Sequence, residues 1–409
     1  MFKCAVILLI SVGAVYARPQ QDDNNLADVI RTVFDTPSTR RPGGFGVIVT
    51  PEPIVEPTRE PQILATNTGA SCICVPYFLC SPENNTIRTD GKYDGFGFID
   101  IRFDPKTCQD VLDVCCTEER RKEMPIEVAP IDQTPNRPKG CGIRNVNGVD
   151  FQITGNFNNE ANFGELPWTV AVISTLNESC ICAGSLIHPQ VILTGGHCVN
   201  EVAPNSIKIR AGEWDTQTTK ERLPHQERVA SRIITHPQFN KRTLAFNTAL
   251  VVLERPFELA DHINTICLPA EGTIFNSRDC YASGWGKDVF GLAGKYSVIM
   301  KRVKLPIVDN ERCQNILRET RLGKRFVLSP TFICAGGEEG VDTCQGDGGA
   351  PLVCPVGPPS ENRYVQSGIV SWGIGCNEDR PAVYASVAFA RNWIDQHMEE
   401  LRFGTASYT

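Results

Sequence analysis

The chain has 409 residues, with 40 Lys and Arg against 47 Asp and Glu, a net charge of −7 and 18 cysteines. At about 150 residues per domain this length implies two or three domains. The acidic balance, with no dense Lys/Arg run, excludes a nucleic-acid or membrane-surface binder. With 41% apolar and 21% charged residues most of the chain is expected to fold, and the cysteine count excludes a reducing cytosol.

Residues 1–17 read as a signal peptide. Lys3 supplies the positive start, Ala5 to Val15 form an apolar run too short to span a bilayer, and Val15-Tyr16-Ala17 places cleavage after Ala17. No later stretch is apolar for about twenty residues, so the chain reads as secreted. Removing the signal removes Cys4 and leaves an odd number of cysteines. Residues 18–70, rich in Pro, Thr, Arg and Asp, read as a flexible amino-terminal arm.

Residues 71–117 hold Cys72, Cys74, Cys80, Cys108, Cys115 and Cys116. A segment this short cannot bury a sufficient core, so disulfides must hold it, and spacing alone leaves fifteen pairings open. Adjacent Cys115-Cys116 and the secretory route argue against zinc. Residues 118–140, with Pro125, Pro130, Pro135 and Pro138 after a charged run, form a linker open to proteases. Cleavage is expected at basic sites in flexible chain (Arg40, Arg41, Arg59, Arg120 to Lys122).

From Cys141 to Thr409 short β-rich runs alternate with Gly, Pro and Asn turns: Val170 to Ile173, Val191 to Leu193, Ile207 to Ile209, Leu250 to Leu253. This spacing predicts an all-β barrel or sandwich. Only Ala388 to Leu401 reads as an amphipathic helix.

Three segments stand in a telling order: Thr194-Gly195-Gly196-His197-Cys198, then Asn247-Thr248-Ala249-Leu250, then Cys344-Gln345-Gly346-Asp347-Gly348-Gly349-Ala350-Pro351. With Pro167-Trp168, Cys182 to Ile187 and Ser371-Trp372-Gly373, they resemble the chymotrypsin-like serine proteases over roughly residues 141–399. The resemblance implies a double antiparallel β-barrel with a carboxy-terminal helix and a site in the cleft. Acyl transfer requires a nucleophile, a base and a group that orients the base. His197 stands at the base position, but Asn247 replaces the orienting carboxylate and Gly348 replaces the serine. The chain is therefore read as no enzyme. Gly346 and Gly348 retain backbone N–H groups of an oxyanion hole, and Asp342, Ser371, Gly373 and Ala382 match a trypsin-like specificity pocket. There Ala382 adds a methyl where active relatives carry glycine. Gln152-Ile153-Thr154-Gly155 stands where the family is cleaved on activation, and Gln152 is no trypsin-type cleavage residue.

The six amino-terminal cysteines, joined by a proline-containing linker to this domain, resemble an arthropod clip domain. The whole resembles the noncatalytic clip-domain serine protease homologs of insect haemolymph, the group of prophenoloxidase-activating factor 2. That resemblance implies the disulfides Cys72–Cys115, Cys74–Cys108, Cys80–Cys116, Cys141–Cys267, Cys182–Cys198, Cys280–Cys354, Cys313–Cys334 and Cys344–Cys376, with Cys180 left over. Strand alternation favours burial of Cys180, whereas an odd cysteine favours an intermolecular bridge, and both stay open. Asn84 and Asn177 are glycosylation sequons. No cofactor is required, though Glu213, Asp215 and Glu227 match a calcium loop of trypsin-like relatives. The implied function is that of a cofactor in a clip-protease cascade leading to prophenoloxidase activation and melanisation. The implied partners are a clip-domain protease, prophenoloxidase or other serine protease homologs, including oligomers. A decoy that sequesters a protease or its partner is the alternative.

Overall fold

The computed structural model describes residues 63–65, 71–81, 86–87, 97–100, 108, 112–116, 140–154, 159–287, 296–338, 347–375 and 379–409. The signal peptide, most of the arm and linker, Asn84, Asp342, Gly346 and the expected Cys344–Cys376 bridge lie outside these residues.

The amino-terminal module is a small antiparallel sheet of β1 (Ile63–Ala65), β2 (Ser71–Pro76) and, after β3 (Gly97–Asp100), β4 (Asp113–Cys116), ordered β1-β2-β4. The disulfides Cys72–Cys115, Cys74–Cys108 and Cys80–Cys116 tie it together. β1 lies inside the stretch expected to be an extended arm, because Ile63 pairs with Ile73 and Ala65 with Ser71 along the free edge of β2.

Beyond the linker, β5 (Phe151–Thr154) runs parallel to β3, with Gly97 opposite Phe151 and Asp100 opposite Thr154. The stretch around Gln152 is thus held by a strand of the cysteine-rich module. Side chains close the same joint. Tyr77, Leu112, Phe151, Phe163, Trp214 and Trp285 share one buried cluster, in which Phe151 meets Tyr77 and Trp214 edge-on. The Tyr77 hydroxyl donates to Asp150, Arg222 pairs with Asp150 at 2.9 Å and Lys220 with Asp113 at 2.8 Å. The two modules form one packed body, despite the proline-rich chain between them.

Six strands then close a barrel: β6 (Thr169–Ser174), β7 (Cys180–His188), β8 (Val191–Thr194), β9 (Ile207–Ala211), β10 (Gln226–Thr235) and β11 (Ala249–Leu253). Their inward Val, Ile and Leu residues fill its core, as a half-buried period of two requires. The short helix α1 (Gly196–Val199) follows β8. A second, seven-stranded sheet is built from β12 (Cys280–Gly284), β13 (Lys301–Leu305), β14 (Ile307–Val308), β15 (Phe332–Gly336), β16 (Pro351–Pro355), β17 (Tyr364–Trp372) and β18 (Pro381–Ser386). Its order, β13-β12-β16-β17-β18-β15-β14, ends on two strands joined through Pro306, so the sheet rolls into a second barrel. The helix α2 (Asn310–Arg318) is capped by Asp309, whose side chain accepts the Glu311 and Arg312 N–H groups. The carboxy-terminal helix α3 (Val387–Glu400) buries Ile394 and Met398 against both barrels, with Trp168 and Leu250 in the same cluster.

Four further disulfides are present: Cys141–Cys267, Cys182–Cys198, Cys280–Cys354 and Cys313–Cys334. Cys180 is unpaired among the described residues and exposed. The alternation that favoured its burial fails at a bulge: Val172 faces Cys182, yet the next residue, Ile173, faces Cys180. The extra residue turns that end of the strand outward.

Candidate functional site

The seam between the barrels gathers His197 from α1, Asn247 just ahead of β11, Gly348 from the turn before β16 and Ser371 near the end of β17. Asn247 is fully buried, and its amide orientation is fixed by partners. Its Oδ1 accepts the His197 backbone N–H at 2.8 Å. A backbone N–H can only donate, so the other amide atom is the nitrogen. That Nδ2 donates to Ser371 Oγ at 2.6 Å and lies 2.8 Å from His197 Nδ1.

The consequence is chemical. His197 Nδ1 lies 2.8 Å from Asn247 Nδ2 and 3.1 Å from Asn247 Oδ1. With Oδ1 already holding the backbone N–H, the shorter contact favours acceptance by Nδ1, which puts the ring proton on Nε2, the nitrogen that a base would need free. Nε2 lies 3.5 Å from Cys198 Sγ, within the Cys182–Cys198 disulfide. Part of the residue stays accessible, yet burial of the ring pushes its pKa down to about 4. The imidazole is neutral at physiological pH. Among the described residues the one His/Cys grouping of metal-ligating type is this histidine with Cys182 and Cys198; both sulfurs are spent in the disulfide, so they offer no thiolate.

Gly348 is buried, and its carbonyl accepts the Ala183 N–H at 2.9 Å. It brings no hydroxyl, thiol or carboxylate to the seam. The trypsin family profile, described as "Trypsin", matches residues 156–394. The chain belongs to the trypsin family. A second profile, "Serine protease Clip domain PPAF-2", matches residues 61–117, the small sheet with three disulfides.

Relatives combine the same parts. "Phenoloxidase-activating factor 2" of Galleria mellonella is 48% identical over 291 residues, covering 68% of this chain and 95% of that protein. Two Anopheles gambiae proteins, "Inactive CLIP domain-containing serine protease A8" and "A28", are each 34% identical over 80% of this chain and 88% of their own lengths. The relatives named inactive support a noncatalytic trypsin-family domain here.

Two features of the cleft follow from tertiary packing. Ala382, buried at 5% exposure, faces Gly373, where an added Cβ would lie 3.8 Å from the Ala382 methyl. Trp372, next to Ser371, is only 2% exposed. It packs with Leu244, Phe326 and Phe332, and Leu244 reaches it from a left-handed backbone (φ 53°). A peptide laid along β17 would find this tryptophan covered by the chain's own side chains. Asn177 is exposed in the β6–β7 turn, with Oδ1 accepting Ser179 Oγ at 2.8 Å.

The expected calcium ligands are otherwise engaged. Arg210 stands directly opposite Glu227 in the β9–β10 ladder. Its Nε donates to Glu227 Oε1 and its Nη1 to Glu213 Oε2, both at 2.8 Å. Lys208 Nζ is 2.9 Å from Glu227 Oε2. Burial opposes charge at Glu227, but Lys208 and Arg210 hold its carboxyl below the usual value. Asp215 accepts Gln217 N–H at 2.9 Å and Thr218 Oγ1 at 3.0 Å. The carboxylate oxygens that a hard cation requires already face resident cations and donors, so these residues do not fit calcium in this arrangement.

Proposed function

We propose that this protein is a secreted, noncatalytic clip-domain regulator that acts as a cofactor in prophenoloxidase activation. Clip-domain serine protease relatives support a place in a proteolytic cascade, and the 48% identity to a protein named "Phenoloxidase-activating factor 2" supports the finer assignment. The observation that carries the noncatalytic part is the Asn247 amide beside His197 together with a glycine at position 348. A base in the wrong tautomer, facing no nucleophile, leaves protein binding as the use of the fold. Its partners are then a clip-domain protease, prophenoloxidase or another protease homolog, met in haemolymph. Among the described residues no helix is long and apolar enough to cross a membrane, which agrees with this placement.

The test is reconstitution. Purified protein is added to an activating clip protease and prophenoloxidase, and phenoloxidase activity is read with and without it. A rise supports the cofactor role; a fall below the level without it replaces that role by the decoy. Labelling with a serine-directed fluorophosphonate checks the chemistry separately: a labelled full-length chain refutes the noncatalytic reading.

A further inference from the structure

We propose that the Arg210 guanidinium is the permanent cation of the loop between β9 and β10, so that the clip domain docks on this loop without calcium. The loop brings Glu213 and Asp215 together, both almost fully buried, with Glu227 across the ladder. Such a set of carboxylates needs a positive centre to be stable away from water. Arg210 supplies it with geometry a point charge lacks: separate nitrogens of one planar fork reach Glu227 and Glu213, each at 2.8 Å. The remaining oxygens are also taken, Glu213 Oε1 by the Trp214 N–H at 3.0 Å and Glu227 Oε2 by Lys208. An entering metal ion would have to expel a guanidinium and leave it without its two partners.

The same loop is the seat of the clip domain. Trp214, held through Glu213, packs on Phe151. Lys220 reaches Asp113 of the clip sheet. Arg222 holds Asp150, which accepts the Tyr77 hydroxyl. A change in the cation beneath the loop therefore acts on all three contacts.

The experiment uses the full secreted chain. Melting temperature is measured in EDTA and in millimolar calcium, and terbium luminescence sensitised through Trp214 is titrated. The expected result is one melting temperature under both conditions and no saturable terbium signal. A single saturable site, or a fall of about 5 °C in EDTA, overturns the proposal. Arg210→Gln, which leaves buried Glu213 without its guanidinium partner and Glu227 with Lys208 alone, is expected to melt roughly 10 °C lower. It is also expected to speed amide exchange at Tyr77 and Asp113 to Cys116. A variant that melts with wild type in EDTA overturns the proposal equally. Arg210→Lys keeps the charge and loses the fork, and is expected to fall between the two; if Arg210→Gln is not secreted, this variant and the wild-type titration decide.

Discussion

Asn247 accepts the His197 backbone N–H at its carbonyl oxygen and sets its amide nitrogen against Nδ1 of the same residue's ring, each at 2.8 Å. One side chain thus holds the helix start and selects the histidine tautomer. Restoring the nucleophile alone does not undo that. Gly348→Ser is expected to show no amide hydrolysis above background, because an amide in place of the orienting carboxylate costs on the order of 10⁴-fold in the family template. Gly348→Ser with Asn247→Asp, given Arg at position 152 and cut there, is the comparison that should gain activity. Hydrolysis of Arg-containing chromogenic amides measures both, and ordinary protease rates from the uncut single variant would refute the tautomer argument.

The clip domain should stay bound after the linker is cut. Its three disulfides are internal, so a nick within residues 118–139 leaves the two pieces without a covalent link among the described residues. The β3–β5 pairing and the buried Tyr77 and Leu112 should nevertheless hold them as one particle in size-exclusion chromatography. Tyr77→Ala, which empties an aromatic site at the joint at a cost of roughly 3–5 kcal/mol, should release the clip piece after the same cut. Separation of the wild-type pieces at neutral pH counts against the joint.

Acid should weaken the fold through His262. The ring is 4% exposed, and its Nε2 donates to the Pro224 carbonyl at 3.0 Å. Burial, aided by Arg222 and His225, pushes its pKa down to about 4 despite that hydrogen bond. An unfolded histidine titrates near 6.5. Between these values the unfolded chain binds more protons, so stability is full above about pH 6.5 and is lost as pH falls toward 4, by about 3 kcal/mol at this residue. His197 acts in the same direction. Urea midpoints at pH 7 and pH 4.5 should therefore fall less in His262→Gln, which keeps a donor for Pro224, than in wild type; equal falls would contradict the assignment.

Cys180 should react as a single slow thiol. The residue is exposed, but burial around the sulfur, with the nearby Asp347 carboxylate, pushes its pKa up to about 11. Maleimide labelling at neutral pH is expected to be roughly 10²-fold slower than for an unperturbed cysteine. It should rise steeply with pH. A dimer on non-reducing electrophoresis that disappears in Cys180→Ser would show a bridge instead.

Much of this was legible in the residues. Cysteine spacing marked the clip domain, runs such as Val191-Ile192-Leu193 marked strands, and Asn247 and Gly348 stood where a carboxylate and a hydroxyl belong. The rest depended on facts that a linear pattern does not carry. Leu244 joins the buried cluster around Trp372 from a positive φ, a conformation that its residue type does not announce. Arg210 meets Glu227 through a strand register set by the whole barrel. Cys180 turned outward at a bulge that shifts the alternation by one residue.

The parallel pairing of β3 with β5 also bears on how the chain is made. During vectorial synthesis the six clip cysteines emerge before Phe151, so oxidation of that module can precede the arrival of its last strand partner. Until the barrel carrying Trp214 closes, Tyr77 and Leu112 have only Phe78 and Val114 of their own module as apolar neighbours from this cluster. The clip sheet is therefore an unfinished piece when it leaves the ribosome, and transplanting residues 61–117 onto another protein would carry over a bare hydrophobic face rather than a free-standing binding module.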